Sequence, residues 1–96
     1  MGEFGRSPKI TSANAGREHH PWCYSAVLAG GGIRGGQAYG KSDRLGAYPA
    51  ENPVSPADLT ATLYHALGVA PALTVRDREG RPVTLTEGSP VGSLWT

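Results

Sequence analysis

Cysteine is nearly missing from this chain: Cys23 stands alone, so no internal disulfide can form and the redox compartment is left open. Long hydrophobic runs are missing too. Nothing approaches the ~20 consecutive apolar residues that a bilayer-spanning helix needs. The N-terminus shows no basic-then-apolar leader pattern, and the sequence assigns no compartment. Charge is sparse and balanced, 9 Lys and Arg against 8 Asp and Glu for a net +1, which excludes a global field steering the chain to nucleic acid or an anionic membrane. The few aromatics, one Phe, four Tyr and two Trp, are scattered without the interleaved basic residues of a base-stacking platform. What the chain has in quantity is glycine (14) and proline (8), a load at which loops outweigh packed elements. At 96 residues it makes at most one small domain, with a modest core.

The pattern predicts few regular elements. Residues 5–18 are polar and read as loop. Trp22 to Ala29 is an apolar run, too short for a helix and rich enough in aromatic and β-branched residues for a buried strand. Residues 37–39 offer at best a second short strand, and 41–54 a long loop. The clearest element is a helix from Pro56 to about Leu67. Ser55 suits its N-cap, Pro56 its first position and Asp58 the third position of a capping box. Leu59, Leu63 and Leu67 form a narrow apolar stripe that needs another surface to cover it, and Gly68 with Pro71 ends the helix. A hairpin follows, 73–75 against 82–85, turning around Arg78-Glu79-Gly80.

Two glycine motifs are set aside. Residues 35–42 fit the phosphate-loop formula G-x-x-x-x-G-K-[ST]. That chemistry requires a helix opening at Lys41, and Gly46 and Pro49 leave no room for one. Residues 30–35 fit G-x-G-x-x-G, but again no helix follows and no βαβ unit fits in the remaining chain.

Chemistry concentrates near the start, where Glu3, Arg6, Arg17, His19 and His20 fall within one short span. Glu3 and His19 are residue types that a divalent ion accepts, yet two ligands fall short of the about three a catalytic metal takes from protein. The plain alternative is a salt bridge from Glu3 to Arg6 or Arg17. His20 is a weaker candidate for ligand or proton donor, and stacking on Trp22 is its ordinary reading. Arg6 and Arg17 suit bidentate contact with a sulfate or phosphate, with solvated surface arginine the alternative. His65, near the helix C-terminus, is read as helix-end packing, and Cys23 as a small buried hydrophobe.

The ordered segments M-G-E-F-G-R-S-P-K-I, G-R-E-H-H-P, S-A-V-L-A-G-G-G-I-R-G-G-Q, G-A-Y-P, V-S-P-A-D-L-T-A-T-L-Y-H-A-L-G-V and D-R-E-G-R-P-V resemble the domain-of-unknown-function 1501 (DUF1501) family, and more distantly the C-terminal end of the alkaline phosphatase/sulfatase-like superfamily. The resemblance covers about residues 1–90. It implies an α/β fold: the C-terminal fragment of a single alkaline phosphatase-like domain over 1–96, its N-terminal part missing, with one short central strand, one packed helix, a terminal hairpin and many loops. It places Glu3 at a metal-ligand Asp, Gly5 at the following Gly and His19 at a later ligand His. Phe4 stands where that pattern has a further ligand His, which departs from a full two-metal site. The implied intact protein is a metal-dependent hydrolase-like protein acting on a small anionic phosphate or sulfate ester, with a divalent metal as cofactor and export as the destination of intact members. Nucleophile and remaining ligands would lie in the missing part, the chain's first partner, so the 96 residues alone are expected to be inactive. Against this stand a non-catalytic remnant or interaction module and, third, a phosphate-loop nucleotide binder.

Overall fold

A computed structural model describes residues 1–13 and 15–96. It is an α/β chain of three small antiparallel hairpins and one α-helix, with loops between them, in two compact units.

The first unit comprises Met1–Leu28 and Ala38–Pro53. In it β1 (Gly5–Arg6) pairs antiparallel with β2 (His19–His20), Gly5 opposite His20 and Arg6 opposite His19. The span expected to be only loop is therefore a hairpin with a long connection. Beyond the strands the Ser7 amide donates to the Glu18 carbonyl (2.9 Å), and the Glu18 amide to Ser7 Oγ (2.9 Å). Gly5 permits the close return of the chain, since a Cβ there would collide with the Cys23 carbonyl. The second hairpin joins β3 (Lys41–Ser42) to β4 (Pro49–Glu51) inside the expected loop. Asp43 organises that turn. Its carboxylate accepts the amides of Leu45 (3.1 Å) and Ala47 (2.8 Å), an Asx arrangement added to the backbone bonds from the Asp43 amide to Tyr48 and from the Gly46 amide to Asp43.

The run Trp22–Leu28 departs from expectation. It belongs to no strand: Pro21 and Trp22 form a turn, and Tyr24–Leu28 have no regular structure. Most of its side chains are exposed, Val27 at 90% and Trp22 at 62%, while Cys23 and Leu28 are half-buried. The composition is that of a buried strand, but the described residues contain no neighbour to pair with it. The proposed strand at 37–39 is likewise not formed.

The second unit comprises Ala29–Gln37 and Val54–Thr96. The helix α1 runs Pro56–Ala66, with the expected ends. Ser55 Oγ accepts the Asp58 amide (3.0 Å) while the Asp58 carboxylate takes the Ser55 amide, and Pro56 fills a first-turn position whose N–H would have no helical partner. Leu67 caps the C-terminus and Gly68, at φ 78°, turns the chain away. The buried face is a different one from the leucine stripe. Ala61 and Thr62 are the buried residues among those described, while Leu63 and Leu67 are 45% and 77% exposed. The reason is that the C-terminal segment packs on the first turns of the helix through polar atoms. Thr86 Oγ1 donates to the Ala57 carbonyl (3.1 Å), the Ser89 amide to the Asp58 carboxylate (3.0 Å) and the Val91 amide to Thr62 Oγ1 (3.0 Å). Gly88 lies so close that an added Cβ would overlap the Ala57 carbonyl and Asp58 amide.

The expected terminal hairpin is present as β5 (Thr74–Arg76) against β6 (Pro82–Thr84), Val75 opposite Val83. Its turn is held by Asp77, whose carboxylate accepts the amides of Glu79 and Arg81 and the Arg81 guanidinium (all 2.8–2.9 Å). A final 3-10 turn, Gly92–Trp95, returns to residues 31–37. There the Arg34 amide donates to the Leu94 carbonyl (2.8 Å), Gln37 Nε2 to the same carbonyl (3.0 Å), and Trp95 Nε1 to the Gly31 carbonyl (2.8 Å).

Candidate functional site

The β1–β2 pairing sets the two polar segments of the N-terminal span side by side. Phe4, next to Glu3, lies against the His19 ring with centroids 4.0 Å apart and planes 31° from parallel. The Arg6 guanidinium sits 5.7 Å from the Phe4 centroid, within cation–π range. Glu3 and His19 are both exposed. The Phe4 phenyl ring thus packs against the neighbouring imidazole.

His20 occupies the hydrogen-bonded position opposite Gly5 and does not stack on Trp22. Its Nε2 lies 2.7 Å from the Ala47 carbonyl, and its ring meets Tyr48 edge-on at 6.1 Å. A carbonyl only accepts, so the bond requires the proton on Nε2 and leaves Nδ1 without it in the neutral ring. The Asp43 turn places that carbonyl, because Asp43 holds the Ala47 amide.

The arginines divide. Arg17 donates to the Ser7 and Pro8 carbonyls (2.8 and 2.9 Å), fixing the long connection of the hairpin. Arg6 makes one long contact, 3.4 Å to the Arg17 carbonyl, so most of its five donors face solvent. Neither pairs with Glu3. The ion pairs among the described residues join Arg81 to Asp77 (2.8 Å) and Glu79 (3.1 Å), in the terminal hairpin.

As a metal centre, the donor set is partial. Among the described residues no three His, Cys, Asp or Glu side chains cluster closely enough to hold an ion. Glu3 and His19 are residue types that a divalent ion accepts, two fewer donors than a closed four-ligand shell. Lys41 and Ser42 lie in β3, so the helix that a phosphate loop requires does not begin there. His65 packs edge-on against Trp95 at 4.7 Å, the helix-end role expected of it, and Cys23 is half-buried with a free thiol. Sequence reasoning missed Asp43 and Ala47 as the support for His20. The signal available was Asp43 ahead of Gly46, a side chain suited to bonding amides two and four residues on.

Fold and site together define a small α/β chain that carries a hairpin-borne carboxylate, histidine pair and arginine, with no helix long and apolar enough to cross a membrane among the described residues. A family model described as "Protein of unknown function (DUF1501)" matches residues 1–94, and the chain belongs to that family. No curated protein and no solved structure matches the chain.

Proposed function

We propose that this chain supplies the C-terminal part of a larger alkaline phosphatase/sulfatase-like domain, a metal-dependent hydrolase of phosphate or sulfate esters. Glu3 and His19 serve there as two ligands of a divalent metal. Arg6 faces the anionic ester, and Arg17 keeps the hairpin connection in shape. The metal, when bound, polarises the transferred group as a Lewis acid. One observation supports the reading: β1 pairs with β2, Arg6 opposite His19, and the Phe4 ring lies against the His19 ring, so residues 4–6 and 19–20 meet in one hairpin. In this reading the remaining ligands and the nucleophile come from a further polypeptide segment.

The test uses a longer DUF1501 protein containing this region and the 96-residue chain alone, with 4-nitrophenyl phosphate and sulfate and added Mg²⁺, Mn²⁺ or Zn²⁺. The longer protein should turn over one ester only with metal, and His19→Ala at the matching position should lower kcat/KM by roughly 10²-fold or more, as loss of a metal ligand does. The chain alone should show no turnover. Metal-independent turnover, or none with any ion, refutes the hydrolase reading. A non-catalytic interaction module is the second reading, favoured by the exposed apolar run Trp22–Leu28. It predicts partner binding without turnover.

A further inference from the structure

The glycine motif at 30–35, set aside as a nucleotide loop, has an occupant of another kind. Within the second unit the turn Gly92–Trp95 is seated on it. The Trp95 indole N–H donates to the Gly31 carbonyl (2.8 Å), and the ring lies so close to Gly32 that a Cβ there would come within 3.3 Å of Cδ1 and Nε1. Gly31 is itself set against the end of α1, where an added Cβ would stand 2.9 Å from that of Ala66. From the last turn of the same helix, His65 meets the indole edge-on (4.7 Å). Both glycines have positive φ, 58° and 78°, a backbone path that a side chain would strain.

The turn is held unequally along its length. Just before it, the Val91 amide is fixed to the buried Thr62 hydroxyl (3.0 Å). Gly92 then has open space around it, the turn has no side-chain cap, and none of its residues is buried. Beyond Gly92 the hold is made through the loop and the His65 ring. Besides the indole bond, the Leu94 carbonyl accepts the Arg34 amide (2.8 Å) and Gln37 Nε2 (3.0 Å). Few buried contacts and partly exposed hydrogen bonds are the marks of a segment that opens at low cost.

We propose that Gly31, Gly32 and His65 form an indole-binding seat, filled in cis by Trp95, and that Gly92–Trp95 is a strap hinged at Gly92 that opens and closes on it. The ligand class is a ring with an N–H donor, because the wall it faces offers a carbonyl, and a carbonyl only accepts. Opening the strap frees the Arg34 amide and the Gln37 side-chain amide, which in the closed state converge on one oxygen of Leu94. Seat and strap are independent of any hydrolase activity.

Amide exchange is followed by NMR in the full chain and in its Trp95→Ala and Trp95→Phe variants. In Trp95→Ala the Arg34 amide should exchange roughly tenfold faster, with Val91 and the amides of α1 at the parent rate. Trp95→Phe keeps a ring but no donor and should fall between the two. Free indole added to Trp95→Ala should shift the Gly32 amide and the His65 ring signals. Benzofuran, with oxygen in place of the N–H, should bind roughly fivefold more weakly. Arg34 exchanging at the parent rate in Trp95→Ala overturns the strap. Val91 and α1 exchanging faster along with Arg34 overturns it too, since the turn would then belong to the helix's own folded unit. Indole that leaves Gly32 and His65 unshifted, or benzofuran that binds equally well, overturns the seat. Arg34 protection that rises with the concentration of the parent chain assigns the seat to a second copy and overturns its filling in cis.

Discussion

Replacing Thr62 with valine removes one oxygen from the best-buried polar position of the chain. Thr62 is 1% exposed, and its hydroxyl does two things at once. It donates to the Asp58 carbonyl one turn back (2.7 Å) and accepts the amide of Val91 (3.0 Å), tying the C-terminal segment to the helix. Valine keeps the shape but strands the Val91 amide, and leaving a buried donor unsatisfied costs ~1–3 kcal/mol. Val91 is only half-buried, so water recovers part of that and the lower half of the range applies. For a domain of this size, 1–2 kcal/mol corresponds to a fall in Tm of about 5–15 °C. The assay is helix melting by circular dichroism together with amide exchange at Val91. Thr62→Ser is the control. It keeps both hydrogen bonds and loses one methyl, about 1 kcal/mol, without speeding exchange at Val91. A Thr62→Val chain that melts within about 2 °C of the parent and exchanges Val91 at the parent rate refutes the reasoning, because the hydroxyl would then not be the tie.

Gly88→Ala forces a methyl into the Ala57 carbonyl and Asp58 amide and should destabilise by ~1–3 kcal/mol, whereas Gly92→Ala, with nothing within 4 Å, should leave urea unfolding almost unchanged. Asp58 has its carboxyl held below the ordinary value of 3.8 by the Ser89 amide first and then by the Ser55 hydroxyl and amide. The sign follows from the depressed folded-state value. Stability from this group is present above pH 3.8 and is lost as pH falls through the folded pKa, so the drop in Tm under acid should be smaller in Asp58→Asn than in the parent. Asp77, lowered by the Arg81 amide ahead of the Arg81 side chain and the Glu79 amide, keeps a remnant of the acid dependence in that variant.

Local rules carried the sequence reading as far as local structure goes. The helix ends followed from Ser55, Pro56, Asp58 and Gly68, and the terminal hairpin from the segments 73–75 and 82–85 around Arg78-Glu79-Gly80. Long-range choices were not legible. The helix turned Thr62 inward and left Leu63 out, because its covering surface is a polar strap of Thr86, Gly88 and Ser89, which bonds to the first turns of the helix. The buried strand expected over 22–29 is not formed, because burial needs neighbouring strands that the described residues do not supply. In the candidate site, residue types pointed to Glu3 and His19, whereas the pairing sets Arg6 opposite His19 and leaves both Glu3 and His19 exposed. His20 went to Ala47, 27 residues away, a contact set by where the Asp43 turn falls and invisible to nearest-neighbour stacking on Trp22.

Trp95 is fixed by its indole N–H to the Gly31 carbonyl and by the edge-on His65 ring, whereas Trp22 stands in open solvent. The two indoles therefore divide the optical signal of the chain. Emission from Trp95 tracks closure of the C-terminal turn. Emission from Trp22 tracks whatever comes to cover the unpaired run. A tryptophan-to-phenylalanine change at either position leaves a label-free reporter of the other event.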